Sequence, residues 1–136
     1  MRSIIVDAGP LIALFRQRDK HHARVKQFLS TAPGRLISTL PVVTEVSHFL
    51  NQKGKVAFLT WIRGGGLAVQ PVGVDDFDEI VTIITRYGDH EMDFADATLV
   101  WLADLVNTLD VMTIDRRDFH IYRPRSGMAF NLVLPS

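Results

Sequence analysis

The feature that most constrains this chain is an alternation. Short runs of aliphatic, often β-branched residues are each followed by a segment with helical spacing. Ser3-Ile4-Ile5-Val6-Asp7 reads as a short buried strand ending in a carboxylate, and Gly9-Pro10 opens a helix whose Leu11, Ile12, Leu14 and Phe15 face a core. Asp19 is placed to cap a second helix carrying Ala23, Val25, Phe28 and Leu29. Pro33-Gly34 breaks the chain before a second strand, Arg35-Leu36-Ile37-Ser38. Thr39 is an N-cap, with Pro41 in the first turn, for a helix bearing Val42, Val43, Val46, Phe49 and Leu50 that Lys53-Gly54 ends. Phe58, Leu59, Trp61 and Ile62 give a further short helix, stopped by Gly64-Gly65-Gly66.

The third strand is Leu67-Ala68-Val69-Gln70. Asp75 or Asp76 starts a helix with Phe77, Ile80, Val81 and Ile84 at helical spacing, and Tyr87-Gly88-Asp89 is a loop. The segment from Phe94 to Val106 is apolar on nearly all sides, which predicts a central helix. Asp110 to Asp115 is a fourth strand, again ending in an acid, and Asn131 to Leu134 a fifth. The pattern predicts one α/β domain over residues 1–136, with a mainly parallel sheet of four to five strands covered on both faces. Sites in such sheets lie outside the carboxyl ends of the strands, at the switch point, where Asp7 and Asp115 fall.

The chain of 136 residues suits one core, and it has no cysteine, which excludes disulfides, thiolate nucleophiles and thiolate zinc sites. The apolar stretch from Ser3 to Phe15 is interrupted by Asp7 and Pro10 and lacks a cleavage site, so neither a membrane span nor a signal peptide is expected. The expectation is a cytoplasmic protein. Zero net charge hides an asymmetry: residues 1–63 carry +7 and residues 64–136 carry −7.

The acids are sparse where they are most informative. Glu45 is the only acid in the 55 residues between Asp19 and Asp75, and it stands among Val42, Val43, Val46 and Phe49. Asp96 lies inside the apolar run Phe94-Ala95-Asp96-Ala97-Thr98-Leu99-Val100. Burying an unpaired carboxylate costs several kcal/mol or shifts its pKa, and no Lys or Arg is near either residue in sequence. A divalent cation relieves the repulsion of converging acids, and oxygen-only ligands suit Mg²⁺ or Mn²⁺. Each acid also has a plainer reading. Asp93 before Asp96 has the spacing of an N-cap, Asp7 can form an Asx turn, and Asp115-Arg116-Arg117-Asp118 can be a surface ion-pair cluster.

The order of motifs carries a resemblance. Ile-Val-Asp7 precedes an apolar helix, Glu45 lies in the helix after the second strand, and Met92-Asp93-Phe94-Ala95-Asp96-Ala97 is followed by Thr113-Ile114-Asp115-Arg116-Arg117-Asp118-Phe119. The chain resembles PIN-domain proteins, most of all the VapC toxins of prokaryotic toxin–antitoxin pairs, over essentially its whole length. The resemblance implies a three-layer α/β/α sandwich and a Mg²⁺- or Mn²⁺-dependent endoribonuclease. It also implies a small antitoxin partner and a homodimer. Asp7, Glu45, Asp96 and Asp115 match the family's acidic positions, Asp93 an additional acid, and Thr113 a hydroxyl residue two positions before the last acid. Asp7, Asp96 and Asp115, with Asp93, are then the metal candidates, and Glu45 completes the shell or deprotonates the attacking water. A phosphatase or DNA nuclease on the same acids, or a non-catalytic binding module, is the alternative.

Arg16, Arg18, Arg24 and Lys26 are candidates for RNA phosphate contacts. The five histidines, His21, His22, His48, His90 and His120, lack metal-ligand spacing, and only His48 shares a helix face with Glu45. Gly64-Gly65-Gly66 is not a phosphate loop, since no Lys-Ser/Thr follows it. Phe49, Phe58, Trp61 and Ile62 read either as core or as a groove for a partner helix.

Overall fold

Strand β1 (Ser3–Val6) is the middle of the sheet, and its composition requires that place. Ile4, Ile5 and Val6 are all fully buried, and successive strand residues point to opposite faces, so both faces must be covered. The computed structural model describes residues 2–31 and 34–135, so Pro33 of the expected break lies outside the described residues. Around β1 come β2 (Arg35–Thr39), β3 (Ala68–Gln70), β4 (Asp110–Met112) and β5 (Asn131–Leu132). The sheet order is β3-β2-β1-β4-β5, and every pair is parallel. The helices are α1 (Ala8–Phe15), α2 (His22–Thr31), α3 (Leu40–His48), α4 (Gln52–Arg63), α5 (Phe77–Arg86), α6 (Phe94–Val106) and α7 (Arg116–Ile121). None of them is long and apolar enough to cross a membrane.

This order makes β1 and β4 the switch point. The chain winds from β1 to β2 and β3 on one side, then returns past β1 to β4 and β5 on the other. The register Val6↔Met112 aligns the carboxyl ends of β1 and β4, and the Asp7 N–H donates to the Met112 carbonyl at 3.0 Å. Helix α6 is central as expected. Residues Ala97 to Ala103 are all buried in it, and it packs on β1, β2, α3 and α5.

Several boundaries differ from expectation, for local reasons. Lys53-Gly54 does not end α3, which stops at His48. Asn51 caps the next helix by accepting from the Gly54 N–H at 2.8 Å, so Lys53 and Gly54 belong to the first turn of a twelve-residue α4. Asp19 makes a turn one step earlier than a cap: its carboxylate accepts from the His21 N–H at 2.8 Å, and α2 begins at His22. Thr39 holds the N-cap position of α3 by its extended backbone, but its buried hydroxyl pairs with that of Thr98 at 2.7 Å. β4 ends at Met112, and Asp115 instead starts α7, a helix the sequence reading did not contain. The glycine stop after α4 is confirmed. Gly65 has φ +99°, and a Cβ on Gly66 would stand 2.2 Å from the Trp61 ring. Phe58 is core and contacts Phe15 ring to ring, whereas Phe49 is exposed.

Candidate active site

The turn from β1 to α1 fixes Asp7. An apolar strand ends there, and the carboxylate becomes the N-cap of α1: Oδ1 accepts from the Ala8 N–H at 2.8 Å. Oδ2 accepts from the Thr113 hydroxyl, also at 2.8 Å, and Thr113 itself is buried just beyond β4. Both oxygens of Asp7 are therefore held. Burial raises its pKa above the usual carboxylate range; the two hydrogen bonds oppose this, and the charges of Asp93 and Asp118 add to it.

Helix α6 presents the next two acids from its first turn. Asp93 is its N-cap, accepting the Asp96 N–H on Oδ1 at 2.8 Å, and its side chain is exposed. Asp96 lies deeper, and the buried Tyr122 hydroxyl donates to its Oδ2 at 3.3 Å. Burial first, then the charges of Asp7, Asp93 and Asp118, push the Asp96 pKa up to about 8 against that hydrogen bond. Tyr122 is pushed up as well, by burial first and by Asp96 next, which keeps the phenol protonated as a donor. Glu45, on α3, is half-buried; burial raises its pKa first, then Asp93 and Asp7.

Asp7, Glu45, Asp93 and Asp96 thus share one electrostatic neighbourhood, and no Lys or Arg is among the groups that shift Asp7, Glu45 or Asp96. Asp115 stands differently. It is the N-cap of α7, accepting from the Arg117 N–H at 3.2 Å, with the Arg117 Nε 3.6 Å away and its side chain 55% exposed. Asp118, one helical turn on, is the α7 acid whose charge reaches Asp7 and Asp96. From the sequence, Asp118 reads as part of a surface ion-pair cluster. The available signal was its place three residues after a cap, on the same helix face as Asp115. His90 was also missed. Its Nε2–H donates to Asp118 Oδ1 at 2.9 Å across 28 residues of sequence, which no local pattern encodes. His48 is exposed and pairs with nothing in this cluster.

Among the described residues, no three His, Asp or Glu side chains already stand about one point as an ion's shell. The donor set still fits a hard divalent cation. It is oxygen-only, neighbouring acids raise the pKa values of Asp7, Glu45 and Asp96, and no Lys or Arg is among the groups that shift these three. The basic residues lie elsewhere. Asp7 caps the start of α1, whereas Arg16 follows its end, about 13.5 Å away along the axis at 1.5 Å per residue. Arg16, Arg18 and Lys26 line a cleft with Phe15, Phe49 and Lys53, and Arg24 donates to the Pro135 carbonyl at 3.0 Å.

The PIN domain family model matches residues 4–123 of this chain. The chain belongs to the PIN domain family. This PIN protein is 28% identical over 134 residues to ribonuclease VapC26 of Mycobacterium tuberculosis (strain ATCC 25618 / H37Rv), covering 96% of this chain and 99% of that protein. Its fold is similar to the crystal structure of Mycobacterium tuberculosis VapC20, described as a sarcin-ricin loop cleaving toxin. The TM-score is 0.80 and the identity 20%, over 97% of this chain and 99% of that one. The PIN-like α/β/α architecture is therefore shown by the fold.

Proposed function

We propose that this PIN protein is a divalent-metal-dependent endoribonuclease and the toxin of a toxin–antitoxin pair. The observation that carries the reading is the set of carboxylates at the carboxyl end of the sheet, charged against one another with no Lys or Arg to neutralise them. The names of the similar proteins, a ribonuclease and an RNA-cleaving toxin, support RNA as the substrate.

Asp7 and Asp96 would hold the ion, with Asp93 beside them and the third carboxylate supplied by the α7 turn. That turn offers Asp115 and Asp118, and the electrostatic reach of Asp118 favours it. A Mg²⁺ or Mn²⁺ ion held there would supply polarisation of a phosphoryl oxygen and a lowered pKa for water. Thr113 keeps Asp7 in one rotamer by donating to Oδ2. Glu45 has its proton affinity raised by burial and by its acidic neighbours, so it is suited to accept the proton of the attacking water. Attack on phosphorus that expels the 3′ oxygen leaves a 5′-phosphate and a 3′-hydroxyl. Arg16, Arg18, Arg24 and Lys26 contact phosphates away from the scissile bond, so they position the strand and carry no sequence readout. A small antitoxin and a second copy of the chain complete the reading, and the setting is the cytoplasm.

The test is end mapping of total cellular RNA after incubation with the purified protein, with Mg²⁺, with Mn²⁺ and with chelator. Cleavage with 5′-phosphate ends that requires a divalent ion and is absent in Asp96→Asn supports the proposal. Cleavage of DNA alone, or release of phosphate from monoesters alone, replaces it with the corresponding hydrolase. Metal binding without any cleavage replaces it with a binding module.

A further inference from the structure

Two of the carboxylates are held from outside the acidic cluster by side chains that the hydrolytic reading does not use. The Tyr122 hydroxyl donates to Asp96 Oδ2, and His90 Nε2 donates to Asp118 Oδ1. On each acid the other oxygen has no hydrogen-bond partner among the described residues. The two donors are packed on each other: the His90 and Tyr122 rings meet edge to face, with centroids 5.5 Å apart and planes at 86°. Tyr122 is fixed further by edge contacts with Tyr87 and Phe119, and its N–H donates to the Asp118 carbonyl at 3.0 Å. A single connected path, Asp96–Tyr122–His90–Asp118, thus joins the first turn of α6 to the first turn of α7.

We propose that Tyr122 and His90 are positioning residues that fix Asp96 and Asp118, each by one oxygen, so that the remaining oxygen of each is presented to a divalent cation. The inference rests on the metal-dependent reading above. Its physical basis is the behaviour of groups that orient ligating carboxylates. They hold one rotamer and balance part of the charge, and their removal lowers metal affinity by about 10- to 100-fold. A buried tyrosine is a suitable donor here because it gives up one hydrogen bond direction and little side-chain entropy. Tyr122 is the largest fully buried side chain among the described residues, and the path gives its hydroxyl a partner.

The experiment measures Mn²⁺ affinity by titration calorimetry on the full chain without RNA. It compares wild type with Tyr122→Phe, which keeps the ring, and His90→Phe, which keeps the edge-to-face contact but lacks the donor. His90→Gln restores a donor at that position. Tyr122→Phe and His90→Phe are expected to bind about 10-fold or more weakly, with metal-free melting temperatures close to wild type and with His90→Gln recovering most of the affinity. If wild type binds Mn²⁺ and both Phe variants bind it equally well, the positioning role is overturned while the nuclease reading stands. If wild type binds no divalent ion, both fall together. If Tyr122→Phe fails to fold, the contrast between His90→Phe and His90→Gln decides: equal affinities overturn the proposal, and a recovered affinity in the Gln variant supports it.

Discussion

Asp110 opens a strand at the amino end of the sheet and Asp96, on α6, lies near Asp7 at its carboxyl end, and their surroundings are opposite. Asp110 opens β4 at its amino end, where Arg2 Nε donates to Oδ2 at 2.6 Å and Asn131 Nδ2 donates to Oδ1 at 2.8 Å. The Arg2 hydrogen bond first, with Asn131 adding to it, holds its pKa below the usual carboxylate range against partial burial. At the carboxyl end, Asp96 has Asp7, Asp93 and Asp118 for neighbours and a single phenol as donor, and its pKa is pushed up to about 8. The amino end satisfies its carboxylate within the chain, so that acid is structural. The carboxyl end gathers acids with no Lys or Arg beside Asp7, Glu45 or Asp96, so ionising them all costs stability that a bound proton or an outside cation relieves. Acids perturbed by burial and by one another are candidates for a functional site.

The largest expected contrast is in activity. Asp96→Asn should reduce divalent-dependent RNA cleavage by about three orders of magnitude or more, since it removes a transition-state contribution of several kcal/mol. Asp110→Asn should leave cleavage within a few-fold of wild type. Matched cleavage rates, with circular dichroism to verify both folds, check this, and equal losses in the two variants would break the distinction between the ends.

The next contrast is in pH dependence. The folded pKa of Asp96 lies above its ordinary value of 3.8, at about 8, so between these values the native state binds more protons than the unfolded chain. Stability of the metal-free protein should therefore be greatest at the low end of this window and fall as pH rises through it. Asp110 acts in the other direction: its folded pKa is lowered, so its contribution is present above the ordinary value and is lost as pH falls through the folded one. Melting temperatures of metal-free protein between pH 5 and 8.5 should decline. Asp96→Asn should flatten the decline, and Mn²⁺ should offset it in wild type alone. A decline that persists unchanged in Asp96→Asn would place the cost elsewhere.

The smallest effect concerns Asp93, which belongs to both descriptions because it caps α6 and also repels Asp7, Glu45 and Asp96. Asp93→Ser keeps a capping oxygen, so stability should change by less than about 1 kcal/mol, and cleavage should stay within about 10-fold because the exposed Asp93 side chain serves as the cap of α6. Denaturant unfolding and cleavage rates measured together test this. An inactive but stable variant would move Asp93 into the metal shell. Neutralising Arg16 and Lys26 sharpens the same map from outside: the salt dependence of RNA binding should flatten by about one to two log–log units, with cleavage sites unchanged.

Much of this arrangement was legible in the chain because its signals are local. A strand ending in Asp7, an apolar helix with Asp96 in its first turn and a lone Glu45 on α3 are each visible within a few residues. Boundaries failed where two local signals competed. Asn51 outweighed Gly54 because a capping side chain satisfies a helix N-terminus, and Asp115 started a helix where the acid had been read as a strand end. Asp118 and His90 were missed for a different reason: their roles exist only between elements that are remote in sequence.

The sequence by itself determined the alternating architecture, the family and the acids that flank its strands and helices, because hydrophobic periodicity and capping are properties of short segments. Only the tertiary structure decided which acids face one another. The strand order β3-β2-β1-β4-β5 brings the end of β4 beside Asp7, packing across α6 and α7 sets Tyr122 against Asp96, and the turn before α6 sets His90 against Asp118. Charge repulsion and hydrogen bonding act through a few ångströms of space, and that proximity is created only when the parallel sheet closes its crossovers.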